Sequence, residues 1–198
     1  MPSPALSGFF FCFAAMVLLI FVSVSTPVWR NIYFLKATVT EEIRYGIWGY
    51  CVQGGECSSA MLGYAPSIEQ VGGNYTEGSS VLQNFTKVMI LHPIAGALAL
   101  FAVLWGLAGV ALASRTCTIL MSLTAFLALL ASLVAFAIDL ALWIIIRNRI
   151  RDRGFEAELG NANWLTVGAV AALILGTCTA ACGSCGRFAT GRMGGEKY

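Results

Sequence analysis

The chain is 198 residues long, 58% hydrophobic and only 11% charged. Soluble domains carry about a quarter charged residues, so this composition excludes an ordinary soluble fold and points to a membrane protein. A formal net charge of +2 is too small to imply nucleic acid, and one His, ten Asp and Glu and seven Cys leave little material for catalysis.

The first apolar run covers residues 5–24 and is closed by Ser25-Thr26-Pro27. Ser23-Val24-Ser25 is a tolerable signal-peptide cleavage site. No Lys or Arg precedes the run, however, and it exceeds a usual signal core, so it reads as a retained span. A polar segment, 27–87, follows and is expected outside the cytosol. Within it, 28–39 and 42–52 are rich in Ile, Tyr, Phe, Val and Thr and predict strands, with Gly54-Gly55 marking a turn. Cys51 and Cys57 predict a structural disulfide closing a small loop at a sheet edge, which suits an oxidising compartment. Residues 72–80 predict a surface loop. Asn74-Tyr75-Thr76 and Asn84-Phe85-Thr86 are acceptor sequences, so Asn74 and Asn84 are glycosylation candidates.

The second run is 88–113, introduced by His92-Pro93; the third is 119–146 and the fourth 164–182. Each meets the roughly 20 residues needed to cross a bilayer core. Backbone groups in lipid must pair within their own segment, so all four are expected to be helices. The third run is longer than one crossing needs, and the basic residues 147–151 can continue it as an exposed helix. The expected class is therefore all-α membrane: one four-span bundle with a small disulfide-tied β-rich loop. Loops 27–87 and 147–163 are placed outside, and the tail 183–198 and both termini in the cytosol. One count opposes that orientation. Eight Lys and Arg fall on the outer side and four on the inner, against the positive-inside tendency.

Helix association in lipid needs close packing by small residues. The second run supplies Ala95, Ala99, Ala102, Gly106, Gly109 and Ala113 on one face, and the fourth supplies Gly168, Ala172, Gly176 and Ala180 at steps of four. These faces are expected to pack within the molecule, with a homo-oligomer face as the alternative. The third run has Ala125, Ala128, Ser132 and Ala135, and the next step of four lands on Asp139. Asp139 is the only ionisable residue well inside a run, and an intramembrane carboxylate is a functional candidate by default. His92 and Arg30 are expected at its level. The expected role is a polar lock between Asp139 and His92, rather than a proton relay, which would need further acidic or His groups along its path.

Cys178, Cys182 and Cys185 cluster at the inner end of the fourth run. Zinc needs about four ligands, and no His lies nearby, so no metal and no cofactor are expected. Cys182 and Cys185 are candidates for S-palmitoylation, with idle thiols as the alternative. The Gly-rich basic tail can touch anionic lipid.

Trp29-Arg30, Gly46-Ile47-Trp48, Cys51 and Cys57 resemble the Trp, Gly-Leu-Trp, Cys, Cys signature of the claudin superfamily, with closer cysteines here. More of the chain is similar to the fungal PalI and Sur-seven family of four-span plasma-membrane proteins. The similar pieces are Ile32-Tyr33-Phe34-Leu35, Tyr45-Gly46-Ile47-Trp48-Gly49-Tyr50-Cys51, Cys57-Ser58, Leu62-Gly63-Tyr64, His92-Pro93, Phe136-Ala137-Ile138-Asp139, Arg147-Asn148-Arg149 and Gly160-Asn161-Ala162-Asn163-Trp164. The resemblance implies a non-enzymatic protein with Trp29, Arg30, Gly46 and Trp48 as its ectodomain signature. PalI-type members assist ambient-pH signalling by helping a seven-span sensor reach or stay at the plasma membrane. Sur-seven-type members mark eisosome-associated compartments and influence the wall and cortex. The expected partners are membrane lipids and another integral membrane protein, such as a seven-span sensor or a cell-wall enzyme. Self-association into a compartment organiser is the alternative; a transporter or membrane enzyme is disfavoured by the apolar spans.

Overall fold

The computed structural model describes residues 4–38, 41–64, 79–112 and 115–185. Its long helices are α1 (Pro4–Ser23), α3 (Leu91–Leu112), α4 (Arg115–Arg151) and α5 (Asn161–Cys185). A short helix, α2 (Ser79–Val88), precedes α3. Among the described residues, four helices are long and apolar enough to cross a membrane. Helix starts follow local chemistry. Pro93 lies in the first turn of α3, where no intrahelical partner awaits its missing N–H. The run beginning at Trp164 starts three residues earlier, at Asn161.

α1 packs on α3 and α5, and α4 packs on α3 and α5, so the four form a closed ring of neighbours. The small-residue faces point inward. Ala95, Ala99 and Ala102 are wholly buried. A Cβ at Gly106 would stand 3.0 Å from Met121 Sδ and 3.1 Å from Phe9 Cδ2. On α5, a Cβ at Gly176 would stand 3.0 Å from Cys12 Sγ, and one at Gly168 3.4 Å from Leu18 Cδ1. The α5 face therefore seats α1. The approach is mutual, since a Cβ at Gly8 of α1 would stand 3.2 Å from the Ala180 backbone nitrogen. Backbones this close gain dispersion contacts that lipid tails cannot supply.

α4 has 37 residues, about 55 Å at 1.5 Å per residue, against a core of about 30 Å. Its far end carries an antiparallel four-stranded sheet in the order β3-β2-β1-β4. The strands are β1 (Leu35–Thr38), β2 (Glu42–Tyr45), β3 (Tyr50–Val52) and β4 (Glu156–Leu159). Lys36 pairs with Arg44 on one side and Glu158 on the other. The pleat turns Leu35, Ala37, Ile43, Tyr45, Cys51 and Ala157 inward and leaves Lys36, Thr38, Glu42 and Arg44 half-buried on the far face.

Several elements differ from the sequence expectation. The strands are shorter than 28–39 and 42–52, because 28–34 instead turns back over the end of α1 and docks on α5. β4 comes from the second polar loop and α2 from the first; neither four-residue strand nor amphipathic ten-residue helix stands out by periodicity alone. Asp139 and His92 share a level, but Arg30 is exposed on the loop above α1 and does not join them.

Candidate functional site

The most unusual chemistry lies where the sheet meets the bundle. His92 lies in the first turn of α3 and Asp139 on α4; both are buried, and His92 Nε2 stands 3.0 Å from Asp139 Oδ2. The contact is at ion-pair distance but off the hydrogen-bonding line, since neither atom has a hydrogen-bond partner among the described residues. The other ring nitrogen, Nδ1, is 3.4 Å from the Met89 carbonyl. Phe34 sits over this pair: its ring meets His92 edge-on at 5.6 Å and stacks on Trp143 at 6.0 Å. Tyr45 completes the roof against Trp143. Among the described residues, Trp143 Nε1 and Asn163 Oδ1 are also buried without partners. Polar atoms shut away like this cost free energy, so the junction keeps a polar interior at the expense of stability.

Three further seams bind the sheet to the helices. At α1, Trp48 Nε1 donates to the Ser23 carbonyl at 2.7 Å, and the Ile47 N–H donates to Ser25 Oγ at 3.1 Å. Gly46 lies against the Thr26 backbone, leaving no room for a Cβ. At α2, Thr86 Oγ1 donates to the Tyr64 carbonyl at 2.9 Å, while Tyr64 OH donates to the Gly46 carbonyl at 2.7 Å. At α5, the Gly160 N–H donates to the Phe34 carbonyl at 2.7 Å, and Asn163 Nδ2 donates to the same oxygen at 2.8 Å. Asn161 accepts from the Tyr33 N–H and donates to the Asn31 carbonyl. A Cβ at Gly160 would collide with the Tyr33 carbonyl.

Electrostatics follow burial. Loss of water, with Tyr50 nearby, pushes the Tyr45 phenol up to about 12, and burial beside Tyr45 raises Tyr64 well above its ordinary value. At Glu42, partial loss of water opposes ionisation. Hydrogen bonds and charge from Arg44 and Lys36 outweigh it and hold the carboxyl below its ordinary value.

The remaining candidates scatter. Cys51 and Cys57 are disulfide-bonded at the β3 edge. Trp29 and Arg30 are exposed, whereas Gly46 and Trp48 form the α1 seam. Asn84 is exposed on α2. Asn74 lies outside the described residues, as do the side chains of Cys182 and Cys185 in the last turns of α5. Cys178, one turn earlier, is exposed. No group of three His, Cys, Asp or Glu able to hold a metal occurs among the described residues. Phe34, Trp143 and Asn163 carry as much of the junction as Asp139 does. Asn163 had a local signal, because Asn residues at 161 and 163 open the fourth helix. Trp143 had none, being one apolar residue in an apolar run.

The sequence model of the SUR7/PalI family matches residues 4–178 of the chain. No curated protein matches it.

Proposed function

The chain belongs to the SUR7/PalI family, and from that premise we propose that this multi-pass membrane protein is a non-enzymatic accessory subunit. In this reading it assists the assembly or localisation of another multi-span membrane protein, as PalI-type members assist a seven-span sensor in ambient-pH signalling. One observation carries the reading. The sheet end is seamed to α1 through Trp48–Ser23, to α5 through Phe34–Asn163, and to α3 and α4 through the Phe34 ring against His92 and Trp143. A head so held moves with its bundle and presents one fixed shape to a partner, which lowers the entropy lost on docking. The His92–Asp139 pair is buried between α3 and α4, which suits assembly rather than turnover. The same reading places the protein in the plasma membrane, with the sheet outside, Asn84 open to glycosylation and both termini cytosolic.

The test is purification from native membranes in mild detergent, with partners identified and counted by mass spectrometry. One multi-span protein at fixed stoichiometry is the expected result. Recovery of self-copies alone with retained lipid would overturn it in favour of an eisosome-type compartment organiser.

A further inference from the structure

The acceptor sequence Asn84-Phe85-Thr86 lies on α2, and the fold treats its two ends differently. Asn84 is exposed. Lys87 Nζ, at 3.4 Å, meets its amide oxygen Oδ1 and not the nitrogen that takes a sugar. Thr86 is wholly buried, and its Oγ1 donates to the Tyr64 carbonyl at 2.9 Å. Tyr64 is held in turn, because its OH donates to the carbonyl of Gly46, between β2 and β3, at 2.7 Å. The residue before it presses on the same helix. Gly63 has a φ of +75°, and a Cβ there would stand 2.7 Å from Lys87 Cγ.

Asparagine-linked glycosylation uses both ends of such a sequence. A transferase joins C1 of the first sugar of a polyprenyl-diphosphate oligosaccharide to the Asn nitrogen. The C1–O bond to the diphosphate breaks, polyprenyl diphosphate leaves, and the amide gives up a proton. The acceptor is recognised through the hydroxyl two residues on. In the folded chain that hydroxyl is taken up by Tyr64, and residues 84–86 are wound in α2. The peptide therefore cannot enter a transferase cleft until α2 undocks. The attached sugar meets no such bar. Two residues along a helix make about 200° of rotation, so burying Thr86 turns Asn84 outward, where a glycan has room.

We propose that Asn84 takes its glycan only before α2 docks, and that the Thr86–Tyr64 contact then closes the site. The contact joins residues 22 positions apart, so it forms only when the loop between them closes, which leaves a window for transfer. Occupancy at Asn84 is set by a race between transfer and docking, and glycosylated and bare chains do not interconvert once folded. The inference rests on the reading that sets the sheet outside, on the side where the transferase works. Maleimide labelling of Asp152→Cys reports that orientation by itself, so the two fail separately.

The test uses the full chain carrying Asn74→Gln, so that every glycan reports on Asn84. It is made in cells whose synthesis of the lipid-linked donor is blocked, and purified in mild detergent. Oligosaccharyltransferase and a polyprenyl-diphosphate oligosaccharide are added to the folded chain and to the same chain after heat unfolding, and the glycosidase-sensitive mass shift is followed. The folded chain is expected to react at least about tenfold more slowly, since only locally opened molecules free Thr86. Gly63→Val sets a β-branched side chain in a left-handed backbone against Lys87, and is expected to bring the folded rate up toward the unfolded one. Tyr64→Phe deletes only the bond to the Gly46 carbonyl. It is expected to raise the rate by a smaller factor, and serves if Gly63→Val does not fold. Equal rates for the folded and unfolded chains, no transfer to the unfolded chain, or a folded rate that neither substitution moves would each overturn the proposal.

Discussion

His92 and Asp139 are the residues on which the junction turns. The two stand 3.0 Å apart in a site that excludes water. Removing one strips the other of its polar neighbour, at a cost of about 1–3 kcal/mol. Asp139→Ala and His92→Ala are each expected to lose about that much. The double variant should lose well under the sum, because no orphan remains. Equilibrium unfolding of the three variants in detergent checks this, and additive losses would show that the pair is not coupled. Tyr45 and Tyr64 make a second prediction. Their folded pKa values lie above the unfolded value near 10. The stability Tyr45 contributes is complete below pH 10 and is lost as pH rises toward about 12, and that of Tyr64 is lost as pH rises well above 10. Tyrosinate absorbance and a folding signal should therefore move together in that window. Ionisation of both tyrosines with the sheet still docked would contradict the burial of their hydroxyls.

At the scale of elements, what sets the bundle is which face each helix gives to which neighbour. α5 gives its glycines to α1, and there is no slack at Gly176, where a Cβ would already press on Cys12. Gly176→Val is expected to force α1 and α5 apart and cost about 1–3 kcal/mol. Ala171→Val, on the exposed face of the same helix, should be nearly neutral. Thermal midpoints of the two variants decide this, and equal losses would mean that the α1–α5 seam is loose. The sheet depends on the same helices. β1 is held between β2 and β4, and β4 reaches it only because α4 runs past the bundle and turns at Gly154, where φ is +85°. A shorter α4 would leave β1 an open edge.

For the whole molecule, the proposed orientation rests on one end being a disulfide-tied sheet. Asp152 lies exposed just beyond α4 at that end. In an Asp152→Cys variant, a membrane-impermeant maleimide is expected to label intact cells. Labelling only after permeabilisation would place the sheet on the cytosolic side. The proposed orientation sets most of the positive charge outside, against the positive-inside tendency. Insertion responds to other features too, such as the length and apolarity of the first span.

Four spans, their small-residue faces and the Cys51–Cys57 link were legible in the sequence, because lipid imposes length, apolarity and backbone pairing on any segment that crosses it. The family was legible from Gly46-Ile47-Trp48 and Gly160-Asn161-Ala162-Asn163, and the structure supplies their reason: Gly46 and Gly160 sit where no side chain fits, and Trp48 and Asn163 bind backbone oxygens across the junction. Asp139 stood out as a lone carboxylate among apolar residues. Its roof of Phe34, Trp143 and Tyr45 did not, because an aromatic residue in an apolar run carries no mark of which neighbour it will meet. Only the tertiary structure drew β4 from a distant loop into the sheet. That outcome depends on contacts between residues more than a hundred positions apart, as from Phe34 to Asn163, and local periodicity carries no information at that range.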